Sequence, residues 1–224
     1  MSRIEIRNPM AKVRRMKMNR TEIETKLNRD RAWLLETFTA MSEEDLSRGI
    51  TTSRHNPEAS WSAKDHLAHL IGVEVAFNKI IKRHIEGHPS PIEVATAPDG
   101  TRRSQEEIMT LVHAMNEVWV NEHKNITVGE IVALGQKVRS ETLAILASLT
   151  DEQLEGKIPG DPWGDATVGG VMAINGDHGR QHYGWVSEAL AGKKSCRKAQ
   201  KARRHIVARL SGSLRIEPAS MRLV

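Results

Sequence analysis

Apolar residues along this chain recur three and four positions apart, with polar residues filling the intervals. Ile23, Leu27, Leu34 and Phe38 keep that spacing after a capping box of Thr21 with Glu24, which predicts a first helix fading near Ser42–Glu44. A polar loop follows from Thr51 to Pro57, where Asn56 and Pro57 stop helical pairing. Ser62 with Asp65 forms a second capping box. Leu67, Leu70, Ile71, Phe77, Ile80, Ile81 and Ile85 then predict a helix of about six turns that ends near Gly87-His88-Pro89. Residues 89–103, rich in Pro, Gly and Thr, read as loop. Ser104 with Glu107 opens a shorter helix through Ile108, Leu111, Val112, Met115 and Trp119. Thr127 with Glu130 opens a longer one carrying Ile131, Leu134, Val138, Leu146 and Leu149. After a loop at 156–166, a last helix carries Val168, Val171, Met172, His178, His182, Val186 and Leu190, and is expected to end near Gly192. No alternating strand pattern of useful length is visible. The expected fold is all-α: an antiparallel four-helix bundle with an extra helix inserted between its second and third long members.

Composition supports helices over sheets. Aromatic residues make up only 4% of 224 residues, and the single Cys196 excludes an internal disulfide framework or a Cys-rich metal site. No apolar stretch approaches the roughly 18 residues of a membrane span, so no membrane partner is expected. The basic N-terminus leads into no apolar segment of the secretory kind, which sets the expected location as cytoplasmic.

Charge divides the chain into three parts. Residues 1–18 hold six Lys/Arg and one acidic residue, and residues 193–224 hold ten Lys/Arg against Glu217. The intervening 19–192 is left with a net charge of −9. The expected organisation is a basic N-terminal extension (1–18), a bundle domain (19–192) and a basic C-terminal tail (193–224). Met16 and Met18 sit just before the first helical pattern, so the first 17 residues are open to reading as an upstream translation artefact. An acidic body argues against nucleic acid as a partner except through the basic tail. Cys196 lies in that tail without a partner His at useful spacing, so no catalytic role is assigned to it.

The ten histidines are unevenly useful. His178 and His182 stand four apart on the last helix, which places both imidazoles on one face within reach of a single metal ion. The spacing alone fits two ordinary buried histidines equally well. A third ligand would come from the second helix, where His69 and His66 are rivals one turn apart. Asp65, one turn before His69, is placed to accept the other ring N–H of that imidazole from outside the ligand shell.

Two stretches together resemble a known family. Trp61-Ser62-Ala63-Lys64-Asp65-His66-Leu67-Ala68-His69-Leu70, with Glu74 just beyond, is similar to the second-helix motif of the DinB-like superfamily. Asp177-His178-Gly179-Arg180-Gln181-His182 is similar to its last-helix HxxxH. The resemblance spans about 19–192 and leaves the inserted helix and both basic ends outside the pattern. It implies a four-helix bundle with a divalent metal held by His69, His178 and His182, with His66 as the alternative ligand. Relatives include mycothiol-dependent maleylpyruvate isomerases and bacillithiol transferases, and a homodimer is implied on the same ground.

Three imidazoles leave a divalent ion its full charge and an open position, the pattern of a catalytic site. Such an ion lowers the pKa of bound water to about 7 or stabilises a bound thiolate. The expected function is therefore thiol S-transfer, isomerisation or hydrolysis of a small electrophilic substrate, with a low-molecular-weight thiol as cosubstrate. Imidazole ligands suit zinc, nickel, iron and copper alike. Glu74 is a candidate general base, although its position five residues after His69 turns it about 140° round the helix. The loop holding Trp163 is a candidate for the pocket mouth, and Trp61, Trp119 and Trp185 read as packing residues. The alternatives are a non-enzymatic metal- or small-molecule-binding stress protein, and a bundle whose basic tails bind nucleic acid.

Overall fold

The structure, a computed structural model, describes residues 18–53, 55–163 and 165–212, the last twenty as backbone. The five predicted long helices are present: α1 (Arg20–Thr39), α3 (Ala63–Ile85), α4 (Gln105–Glu122), α5 (Val128–Ser148) and α7 (Val168–Gly212). Two single-turn helices, α2 (Glu43–Ser47) and α6 (Asp151–Glu155), start at Ser42 and Thr150 caps, just before the stretches read as loop. The capping boxes at Ser62, Ser104 and Thr127 stand where the sequence places them. The first differs. Asn19 with Glu22 caps α1 instead of Thr21 with Glu24, and Arg20 binds the carbonyls of Leu146 and Leu149 at the end of α5.

Two further differences have simple causes. A hairpin of β1 (Gly49–Thr52) and β2 (Ser60–Ser62) precedes α3, pairing Thr51 with Trp61. Strands of four and three residues are too short to show a period. The last helix does not end at Gly192 but runs to Gly212. One glycine in a helix interior costs only about 1 kcal/mol, and the Lys, Arg, Ala and Gln that follow are strong helix formers.

α1, α3, α5 and α7 make the bundle, and α4 packs outside it on α3. The expected antiparallel order holds for two of its helix pairs. α3 meets α7 head to tail, His66 against His182 and His69 against His178. α5 runs back along α1, with Arg139 bound to the carbonyl of Leu27 and the start of α1 reaching the end of α5. The other two pairs are parallel. Ile23, Asp30 and Leu34 of α1 face Gly169, Gly176 and Gly179 of α7 in the same order, and Ile71, Glu74 and Asn78 of α3 face Gly135, Arg139 and Thr142 of α5. The inserted α4 makes this possible. It carries the chain back along α3, Trp119 near Gly72 and Ala68, so that α5 can start beside the start of α3. The direction of the four helices is thus up-down-down-up.

The core has two apolar halves separated by a charged layer. Ile23, Leu27, Phe77, Ile81, Leu146 and Met172 belong to one half, and Leu34, Phe38, Leu67, Ile71, Ile131 and Val186 to the other. Between them Glu74, 1% exposed, receives hydrogen bonds from Arg31, from Arg139 at 2.7 Å and from Thr142 at 2.7 Å. Asp30 in the same layer is held by Lys26 at 2.6 Å and by Arg180 of α7 at 3.1 Å. α7 comes so close to Asp30 that a Cβ at Gly176 would fall 1.8 Å from its Oδ2, so only glycine fits there. The same holds at Gly72, where a Cβ would meet the Trp119 ring at 2.6 Å.

Burial alone would raise the Glu74 pKa, but Arg139, Arg31 and Thr142 outweigh it and hold the carboxylate below its ordinary 4.5. Its stabilisation is therefore complete above about pH 4.5 and lost as the pH falls through the lowered value. Glu74→Gln leaves two buried guanidinium groups without their anion, and should cost about 3–5 kcal/mol in chemical denaturation at pH 7. The gap between wild type and variant should narrow in acid. Equal stability of the two proteins at pH 7 would remove the charged layer from the account of the fold.

Candidate metal centre

The site forms where the start of α3 meets the middle of α7. The Ser62 cap fixes the first turn of α3, with Asp65 Oδ2 accepting from Ser62 N–H and Oγ–H, each at 2.8 Å. Three residues apart on that turn, His66 and His69 share the face toward α7. Because α7 runs antiparallel to α3, its His178 and His182 come up against them.

One ring nitrogen from each of His69, His178 and His182 lies within 4.8 Å of the others. His178 Nε2 and His182 Nε2 are 3.0 Å apart. The other nitrogen of His182, Nδ1, lies 2.8 Å from His66 Nδ1, and His66 Nε2 lies 2.7 Å from Thr51 Oγ1 on the hairpin. His69 Nδ1 is buried without a hydrogen-bond partner. Trp61 closes one side, its ring 5.5 Å from that of His66 and 5.2 Å from that of His69. Trp185 sits 4.7 Å from the His182 ring. Trp61 is itself fixed by Nε1–H donating to the buried Glu117 of α4 at 3.0 Å.

Electrostatics keep the α3 imidazoles neutral. Burial, with His178 adding to it and the Asp65 charge opposing it, lowers the His66 pKa to about 4. His69 falls well below 6.5, first through burial and then through His178, His66 and His113. Neutral imidazoles are what a cation needs from its ligands. A histidine is also seldom left buried with an unbound nitrogen, because an unsatisfied polar atom costs about 1–3 kcal/mol. The donor set, the neutrality of His69 and its orphaned Nδ1 fit a divalent cation.

Several sequence expectations change. Asp65 does not support His69, whose Nδ1 has no partner. Its Oδ2 is taken up by the helix cap. Glu74 does not serve the cluster as a base, since its carboxylate is committed to Arg31 and Arg139 in the charged layer. Trp163 packs on Phe77 with rings 5.3 Å apart, in the apolar half of the core away from the histidines. Trp61 and Trp185, read as packing residues, are walls of the site. His66 stands beside the cluster, bonded to His182. Thr51 and Glu117 were not legible, because nothing in sequence ties a loop threonine or an inserted-helix glutamate to α3. The position of Trp61 directly before the Ser62 cap was the one available signal.

Comparison with known proteins agrees with this fold. Similar solved structures include an uncharacterised Escherichia coli UTI89 protein, 16% identical, with TM-score 0.57 over 80% of this chain and 96% of that one. The colibactin self-resistance protein ClbS, solved with double-stranded DNA, is 12% identical, with TM-score 0.55 over 80% of this chain and 98% of its own. A Streptococcus pneumoniae protein is 14% identical, with TM-score 0.53 over 80% and 93%. At these identities the likeness is one of fold. No curated protein matches the sequence. The profile of the DinB superfamily matches residues 53–186, from the hairpin through both histidine-bearing helices, and the chain belongs to that superfamily.

Proposed function

We propose that the chain is a divalent-metal-dependent enzyme acting on a small electrophilic substrate, with His69, His178 and His182 as the metal ligands. The observation that carries this reading is the convergence of three imidazole nitrogens within 4.8 Å in a mostly buried setting. A divalent ion held there supplies positive charge that favours the thiolate form of a small thiol. The protein's own groups do the rest. Trp61 and Trp185 shield the imidazoles from water and give an apolar flank for substrate.

His66 sets the orientation of His182. When His182 offers Nε2 as ligand, its ring proton sits on Nδ1 and donates to His66 Nδ1. The His66 proton then sits on Nε2 and donates to Thr51 Oγ1. One tautomer chain thus runs from the hairpin to the ligand.

Glu74 is withdrawn from a general-base role by its arginines, so ionisation of an attacking thiol or water would fall to the bound ion. A thiol, which ionises at about pH 8.5 on its own, asks less of that ion than water does.

Elemental analysis after reconstitution and desalting should give about one divalent ion per chain. His182→Ala should lose the ion, along with conjugation of small thiols to an aryl halide. A folded wild type that retains no ion would end this reading. Metal bound without turnover on thiol or ester panels would transfer the site to a sequestering role. His66→Phe keeps an aromatic ring against Trp61 but breaks the tautomer chain, so it should weaken metal affinity by about 10–100-fold with the melting temperature little changed. Unaltered affinity in that variant would remove His66 from the site.

A further inference from the structure

We propose that the last five turns of α7 are a docking helix for duplex DNA, bound through phosphates without regard to sequence. The continuation of α7 to Gly212 is the structural observation that makes a face out of what is otherwise a charge run. Residues 193–212 contain eight Lys/Arg and no acidic residue. At 100° per residue, Lys193, Lys194, Arg197, Lys198, Lys201, Arg204 and Arg209 all fall within an arc of about 160°, together with His205. Arg203 alone lies on the opposite side.

The remaining positions decide between DNA and a lipid surface. From 193 to 205 the positions outside the basic arc are Ser195, Cys196, Ala199, Gln200, Ala202 and Arg203. None is a large apolar residue, whereas helices that lie in membranes bury a bulky apolar face. Ile206, Val207 and Leu210 add such residues only in the final turns. Small residues opposite a broad cationic arc suit a polyanion that contacts the helix on charge alone. A helix about 10–12 Å across also matches the B-form major groove of about 12 Å, where phosphates of both strands flank it. The A-form RNA major groove is too narrow to admit a helix.

The rest of the molecule directs contact to this segment. The net charge of −9 over residues 19–192 repels phosphate, so the bundle stands off while the helix engages. Lys193 follows His182 by eleven residues on one continuous helix, which sets the histidine cluster about 16 Å from the start of the basic face.

The test uses the full chain and a fluorescein-labelled 20-base-pair DNA duplex, read by fluorescence anisotropy between 50 and 200 mM salt. Wild type should bind with log K falling against log salt at a slope of about −4.5, corresponding to roughly five neutralised phosphates. Lys193→Gln/Lys194→Gln/Arg197→Gln/Lys198→Gln/Lys201→Gln should bind at least about tenfold more weakly with a flatter slope. Arg197→Lys/Arg203→Lys/Arg204→Lys, which keeps every charge, should bind like wild type. Unchanged binding in the glutamine variant would overturn the proposal. So would tighter binding to phosphatidylserine vesicles or to an RNA duplex than to DNA.

Discussion

Glu74 sits at the centre of the molecule with arginines from two other helices closed around it, and the geometry of the bundle follows from that grip. A carboxylate this deeply buried is tolerable only with its charge matched and its oxygens filled. Arg31 of α1, Arg139 of α5 and Thr142 of α5 meet that demand together, which fixes three helices to one another in height and rotation. Asp30, beside Arg31 in the same layer, adds α7 through Arg180. An apolar interface would tolerate sliding by a turn. A charged layer between two apolar halves does not, because any shift leaves an ion unpaired.

The histidine cluster depends on this register. Its members come from two helices that are not neighbours in sequence, and a slip of one turn between α3 and α7 would move His69 away from His178. The layer at Glu74 lies five residues beyond His69 on α3, and Asp30 fastens α7 at Arg180, between His178 and His182. The charged layer and the histidine cluster are thus consecutive storeys of one bundle. The lower one bears the positioning, which leaves the upper one to bring His69, His178 and His182 together.

The fold was largely legible in the sequence because helices announce themselves locally, by spacing and by caps such as Ser62 with Asp65 and Thr127 with Glu130. The pairing of His178 with His182 was legible for the same reason. Direction was not: the parallel runs of α1 with α7 and α3 with α5 depend on where α4 carries the chain, a matter of tertiary packing. The roles of Asp65 and Glu74 were misjudged on proximity along one helix. Each carboxylate is drawn to a stronger donor set, the backbone and hydroxyl of Ser62 in one case and two guanidinium groups in the other. Thr51 and Glu117 reach the site from a hairpin and an inserted helix, and such contacts have no period to betray them. The continuation of α7 past Gly192 was hidden by a glycine that looks like a stop and is followed by residues strong enough to override it.

The function proposed for the bundle rests on His69, His178 and His182 converging on one cation. Crystals of the full chain grown with zinc, with data collected on both sides of the zinc absorption edge, test it most directly. The expected result is a single strong anomalous peak bonded to those three imidazoles at about 2.0–2.1 Å, with His66 bonded to His182 rather than to the ion. A peak elsewhere, a peak ligated by His66 in place of His69, or no peak between α3 and α7 would contradict it.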